Sequence, residues 1–182
     1  MKEFIIFSIF ISLFSCSSNN IEDEYYKLKS KRIIIPEYQS VYYNGEKISL
    51  SNIGCSKLKL LIYIDSLNCN SCYLKRIKKW DTLIEYAQKK GNKLNYYFIF
   101  SPRKKDIGMM TYLLKNTDVN CPLIIDSIGE FRKMNDHLPK NRLLQTFLVD
   151  ENNHVIMIGD PTKNDETNEI FRKKVEMQLG KR

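Results

Sequence analysis

Cys69 and Cys72, separated by Asn70 and Ser71, are the residues whose types and spacing best support chemistry. Two intervening residues let the sulfurs meet in a small ring, so the pair can pass between dithiol and disulfide. The flanking sequence sets how reactive such a pair is. Ahead of it, residues 60–64 (LLIYI) form a short apolar run, the pattern of a strand buried on both faces. Asp65-Ser66-Leu67-Asn68 is a polar break, with Asp65 read as a turn residue. Behind the pair, Tyr73, Leu74, Ile77, Trp80, Leu83, Ile84 and Ala87 recur at helical spacing, predicting one amphipathic helix stopped at Gly91. Cys69 then falls at or just before a helix N-terminus, where unpaired amides and the helix dipole favour a thiolate. Lys75 and Arg76 read as a solvated helix face, and Trp80 as core.

The N-terminus bears on where this chemistry would occur. Lys2 precedes an apolar run at residues 4–14 (FIIFSIFISLF), which is short for a bilayer span and suits the h-region of an export signal. Leu13-Phe14-Ser15-Cys16 resembles a bacterial lipoprotein lipobox. That resemblance implies a signal peptide over residues 1–15 and lipid attachment at Cys16, with several acyl chains giving durable anchoring. Residues 16–36 are then expected to be the lipidated cysteine and a polar tether, and residues 37–182 the folded domain. The expected location is the cell envelope of a bacterium, anchored to a membrane, with the domain in the periplasm or at the cell surface.

An oxidising compartment permits lasting disulfides. Of five cysteines, setting Cys16 aside leaves Cys55, Cys69, Cys72 and Cys121, and four thiols allow three pairings. The short spacing makes Cys69–Cys72 the natural pair. For Cys55 and Cys121 a structural disulfide and two buried thiols are both open readings. Net charge is +8 with a pI near 9.1, but the basic residues are spread along the chain, which argues against nucleic-acid binding. His137 and His154 are the only histidines and sit in no tight ligand pattern, so no metal site and no cofactor is expected.

The elements that must hold the pair follow in order. Tyr42-Tyr43-Asn44-Gly45-Glu46-Lys47 predicts a tight hairpin at Asn44-Gly45. Residues 94–100 (LNYYFIF) read as a second buried strand, 106–114 as a helix, 123–126 as a short strand and 128–138 as a helix ended by Pro139. Residues 143–150 and 154–159 flank a Glu151-Asn152-Asn153 turn as an antiparallel hairpin, and 165–179 form a last helix. Alternating strands and helices imply a parallel sheet with helices on both faces, and the closing hairpin makes the sheet mixed. The fold class is an α/β sandwich with an N-terminal hairpin extension.

Strand, Cys-X-X-Cys and helix, with a later Thr-Phe-Leu-Val-Asp strand at residues 146–150, resemble the thioredoxin superfamily over residues 48–179. More narrowly, the chain is similar to membrane-tethered thioredoxin-like and peroxiredoxin-related bacterial proteins, which carry an extra strand and helix where residues 123–138 lie. The resemblance implies thiol–disulfide exchange with protein thiols or disulfides, Cys69 attacking and Cys72 resolving the mixed disulfide. It also implies a substrate-binding wall at Leu144 and Gln145. The chain departs from the family at three positions: Asn68 replaces a tryptophan, Tyr63 a buried acid and Leu144 a cis-proline. A non-catalytic interaction domain with a structural disulfide, and a metal-handling protein using the pair with a histidine, are the alternative readings.

Overall fold

The computed structural model describes residues 21–180 apart from Gln39, Gly54 and Cys55. Cys16 and the export signal lie outside the described residues. In chain order the elements are α1 (Ile21–Ser30), β1 (Val41–Tyr43), β2 (Glu46–Ile48), β3 (Leu58–Ile64), α2 (Asn70–Lys75), α3 (Asp81–Lys89) and β4 (Leu94–Phe100). Then come α4 (Ile107–Lys115), β5 (Leu123–Ile125), α5 (Glu130–Met134), β6 (Thr146–Val149), β7 (Val155–Ile158) and α6 (Asp165–Leu179).

The strands form one seven-stranded mixed sheet ordered β2-β1-β5-β4-β3-β6-β7. β3, β4 and β5 run parallel, while β6 lies antiparallel to β3 and β7 antiparallel to β6. The two parallel crossovers step in the same direction, so right-handed connection puts α2, α3 and α4 on one face. Strand alternation divides the core accordingly. Leu60, Ile62 and Ile64 of β3 pack with Leu74, Trp80, Met110 and Phe171 on that face, whereas Leu61 and Tyr63 meet Leu28, Tyr38 and Phe131 on the other.

The N-terminal hairpin forms as the sequence indicates. Asn44 and Gly45 have φ of 50° and 78°, the two positive values that the tight turn matching strand twist requires. A Cβ at Gly45 would also lie 2.8 Å from the Lys115 carbonyl oxygen, so glycine is needed there twice over. β1 adds to the sheet beside β5, through Val41–Ile124 and Tyr42–Leu123 pairs.

Three elements differ from the sequence reading, each for a physical reason. The helix after the cysteines is not continuous: α2 ends at Lys75, a 3₁₀ turn covers Ile77–Trp80, and α3 follows. Leu74, Ile77, Trp80 and Leu83 are spaced by three, and on an α-helix each such step drifts about 60° off the buried line. Tightening to three residues per turn keeps Ile77 and Trp80 on the core side, both buried.

The helix expected over residues 128–138 spans only Glu130–Met134. Its first amides are held by Asp126, whose carboxylate accepts from Glu130 N (2.8 Å) and Phe131 N (3.1 Å). It stops because Asn135 turns its side chain to the backbone of Ile34, donating to the carbonyl and accepting from the amide at 2.8 Å each.

The segment expected to be a tether is folded from Ile21 onward. α1 has acids in its first turn and lysines in its last, and Leu28 is fully buried. Ile33 N then donates to Asn153 O at 2.9 Å, residues 31–38 continue along the sheet, and Ser40 O accepts from Ile125 N. Ile33 and Tyr38 are buried along the way. Among the described residues no helix is long and apolar enough to cross a membrane.

Candidate functional site

The Cys-X-X-Cys segment leaves the C-terminal end of β3, which lies between β4 and β6, and enters α2 after a five-residue loop. Asp65 builds that loop. Its carboxylate is buried, and Oδ1 accepts from Leu67 N (3.0 Å) and Asn68 Nδ2 (2.7 Å), closing an Asx turn. Oδ2 accepts from Gln145 Nε2 (3.0 Å) and lies 3.9 Å from Arg132 Nη2. Asn70 braces the loop from the helix side, its Nδ2 donating to the Asp65 and Asn68 carbonyls at 3.0 Å each. The backbone is tied to β6 as well, with Tyr63 N donating to Gln145 O at 2.9 Å.

On this platform Cys69 and Cys72 form a disulfide with their Cα atoms 5.2 Å apart, and both residues are exposed. Cys69 is the N-cap of α2, and its Sγ accepts the Cys72 amide at 3.3 Å. The same amide would stabilise a Cys69 thiolate in the reduced protein. Arg76, the C-cap of α2, also donates its Nε to the Cys72 carbonyl at 3.3 Å.

Cys69 stands on a ridge between two grooves. One, of about 400 Å³, is lined on its far side by Arg142, Leu143, Gln145 and Thr146, and on its near side by Tyr73 and Arg76. The other, of about 480 Å³, runs past Ser66 and Leu67 to Arg103, Asp106, Met109 and Met110. Cys72 lines neither of them.

Of the residues singled out in the sequence, the structure brings Cys69, Cys72 and Gln145 together. Leu144 follows the wall but turns its side chain inward, 7% exposed, and no peptide bond among the described residues is cis. Leu143 and Arg142 face the groove in its place. Neither stood out in the sequence; the available signal was Asn141, whose Oδ1 accepts from Leu143 N and caps a 3₁₀ turn over Arg142–Leu144. Asp65 is the turn residue expected, and beyond that it bridges the cysteine loop to Gln145.

Cys121 is a free, buried thiol whose pKa burial pushes up, which disfavours its thiolate. Cys55, its possible partner in the sequence reading, lies outside the described residues. His154 lies in the β6–β7 connection, at the end of the sheet where Val149 pairs with Lys59, opposite the cysteines. The His137 side chain is buried and burial lowers its pKa. Among the described residues no group of three or more His, Cys, Asp or Glu side chains could hold a metal ion.

A mixed α/β sandwich with a Cys-X-X-Cys disulfide capping the helix that follows a buried parallel strand has the thioredoxin-like fold. Solved structures agree with that assignment. A Chlorobium tepidum protein described as the thiol:disulfide interchange protein DsbE superposes with a TM-score of 0.52 at 12% identity, covering 81% of this chain and 97% of its own. BsSco, a member of the Sco family of cytochrome c oxidase assembly proteins with a disulfide switch, gives 0.51 at 12% identity, covering 83% of this chain and 96% of its own. At this identity the likeness is one of fold. No family model matches the chain, and no curated protein matches it.

Proposed function

We propose that the protein is a thiol–disulfide oxidoreductase of the bacterial cell envelope, anchored by lipid on Cys16, that exchanges electrons with protein thiols or disulfides. The observation that carries this reading is a solvent-exposed Cys69–Cys72 disulfide set on a rigid, hydrogen-bonded loop at a helix start. Structural disulfides gain from being buried and closing long loops; this one closes a loop of minimal length and faces solvent. Two fold neighbours carry thiol–disulfide chemistry in their descriptions, one as an interchange protein and one as a disulfide switch.

In the reductive direction a substrate thiolate attacks Cys69 Sγ, and Cys72 leaves as a thiolate that takes a proton from solvent. A second thiol then attacks the substrate sulfur, releasing Cys69 reduced and the substrate as a disulfide. The oxidative balance is two thiols to one disulfide, matched by reduction of Cys69–Cys72, and no cofactor is required. Running in reverse, Cys69 attacks a substrate disulfide and Cys72 resolves it.

Equilibration of the full-length protein in thiol redox buffers, followed by alkylation and mass spectrometry of the two cysteines, tests the reading. The expected potential lies in the range of catalytic pairs, about −120 to −270 mV. A value below about −300 mV would assign a static disulfide and an interaction role instead. Anchoring rests on Leu13-Phe14-Ser15-Cys16. Cys16→Ser is expected to abolish fatty-acid labelling and release the protein from the membrane fraction; retention of both would sink the lipid anchor.

A further inference from the structure

We infer that the surface around Cys69 selects a polypeptide partner whose reactive cysteine is flanked by acidic residues and an apolar side chain. This deepens the oxidoreductase reading and rests on it. A thiol reaching Cys69 on its ridge must lay its neighbouring residues across the two grooves, so groove chemistry sets partner choice.

The first groove carries Arg76, Arg142, Lys163 and Asp160. Asp160 is already committed: Lys79 pairs with it at 3.3 Å and Thr162 donates to it at 2.6 Å. Among the described residues Arg76, Arg142 and Lys163 have no carboxylate partner, although Arg142 reaches Asn68 Oδ1 at 3.5 Å. In the second groove Arg103 and Asp106 neutralise each other at 3.0 Å. The excess around Cys69 is therefore positive, and it lies in the first groove with Arg76, Arg142 and Lys163.

Beside these charges stand exposed apolar side chains. Leu143 is 52% exposed, Leu67 on the cysteine loop 89% and Met109 49%. Exposed apolar side chains bordered by charged ones match the apolar core and polar rim of a protein interface, where methionine and arginine are enriched. Positive rim charges speed encounter with an acidic partner and disfavour a basic one.

The test uses oxidised full-length protein and three single-cysteine peptides identical except for Glu, Ser or Lys on both sides of the cysteine. Each rate of reducing Cys69–Cys72 is divided by that peptide's rate against bis(2-hydroxyethyl) disulfide, which removes the effect of flanking charge on the thiol itself. At low ionic strength the Glu peptide is expected to react about 10-fold or more faster than the Lys peptide, the lower end of electrostatic steering. The difference should collapse in about 1 M salt, where screening acts within about 3 Å. In Arg142→Glu/Lys163→Glu the ratio should vanish or invert. The salt series on the unsubstituted protein keeps the test valid if that variant fails to fold.

Equal normalised rates with ready reduction by dithiothreitol overturn this proposal alone. Equal rates combined with Arg142- and Lys163-dependent binding to phosphatidylglycerol vesicles overturn it too, and assign the cations to a lipid surface. Resistance to dithiothreitol and to every peptide overturns both it and the oxidoreductase reading.

Discussion

Cys72→Ser is expected to turn the protein into a trap that holds its substrate as a stable mixed disulfide through Cys69. Cys69→Ser is expected to lose exchange down to background, at least about 100-fold. The assignment comes from the surroundings, since both cysteines are exposed. Cys69 lines both grooves and Cys72 lines neither, so an incoming chain finds binding surface only beside Cys69. Cys69 Sγ also accepts the Cys72 amide, a donor that stabilises negative charge on the sulfur that attacks or leaves. Cys72 sits one turn into the helix, within reach of Cys69 and of the sulfur bonded to it. Non-reducing electrophoresis with mass spectrometry of the adducts reads the result. Adducts trapped on Cys72 in the Cys69→Ser protein, and none in Cys72→Ser, would reverse the assignment.

Asp65→Ala is expected to destabilise the domain by about 1.5–3 kcal/mol, the range for hydrogen bonds to a charged group. Its carboxylate accepts from Leu67 N, Asn68 Nδ2 and Gln145 Nε2, and lies near Arg132. Removal leaves those donors with no acceptor at that position, although Gln145 Nε2 retains the Pro139 carbonyl at 3.2 Å. The measurement is urea unfolding followed through Trp80, the single tryptophan, which is fully buried and packed edge-on against Phe98. A double-mutant cycle with Gln145→Ala should give a coupling of about 0.5–3 kcal/mol, the range for residues in contact. Additive effects would show that Asp65 acts on its own loop and not on the groove wall.

The parts of the fold that were legible are those fixed locally. The buried runs of β3 and β4 and the Asn44-Gly45 turn follow from neighbouring residues alone. So does the cysteine pair, because both its spacing and its helix start lie within one short segment. The broken helix was masked: Leu74, Ile77, Trp80 and Leu83 are spaced by three, but Tyr73, Ile77, Trp80, Ile84 and Ala87 fit one continuous α-helix. The short α5 was not legible, because Asn135 ends it by bonding Ile34, about a hundred residues earlier in the chain. Nor was α1, a charged stretch that the core holds chiefly through Leu28. The groove wall shows the same division. Gln145 was reachable through family resemblance, while Arg142 and Leu143 face Cys69 only because β6 pairs with β3 in one register.

The direction of α1 has a bearing on where the disulfide would point in a cell. Glu24, in its first turn, accepts from Asn141 N at 2.9 Å, three residues before the end of the groove-wall turn. Ile33, just past its end, bonds to Asn153 at the opposite pole of the sheet. The helix thus starts at the cysteine pole and descends about 15 Å away from it. Cys16 is five residue steps from Ile21, at most about 18 Å of chain. A lipid on Cys16 would therefore hold the molecule with its reactive end turned toward the bilayer, where its reachable partners are those displayed close to the same membrane.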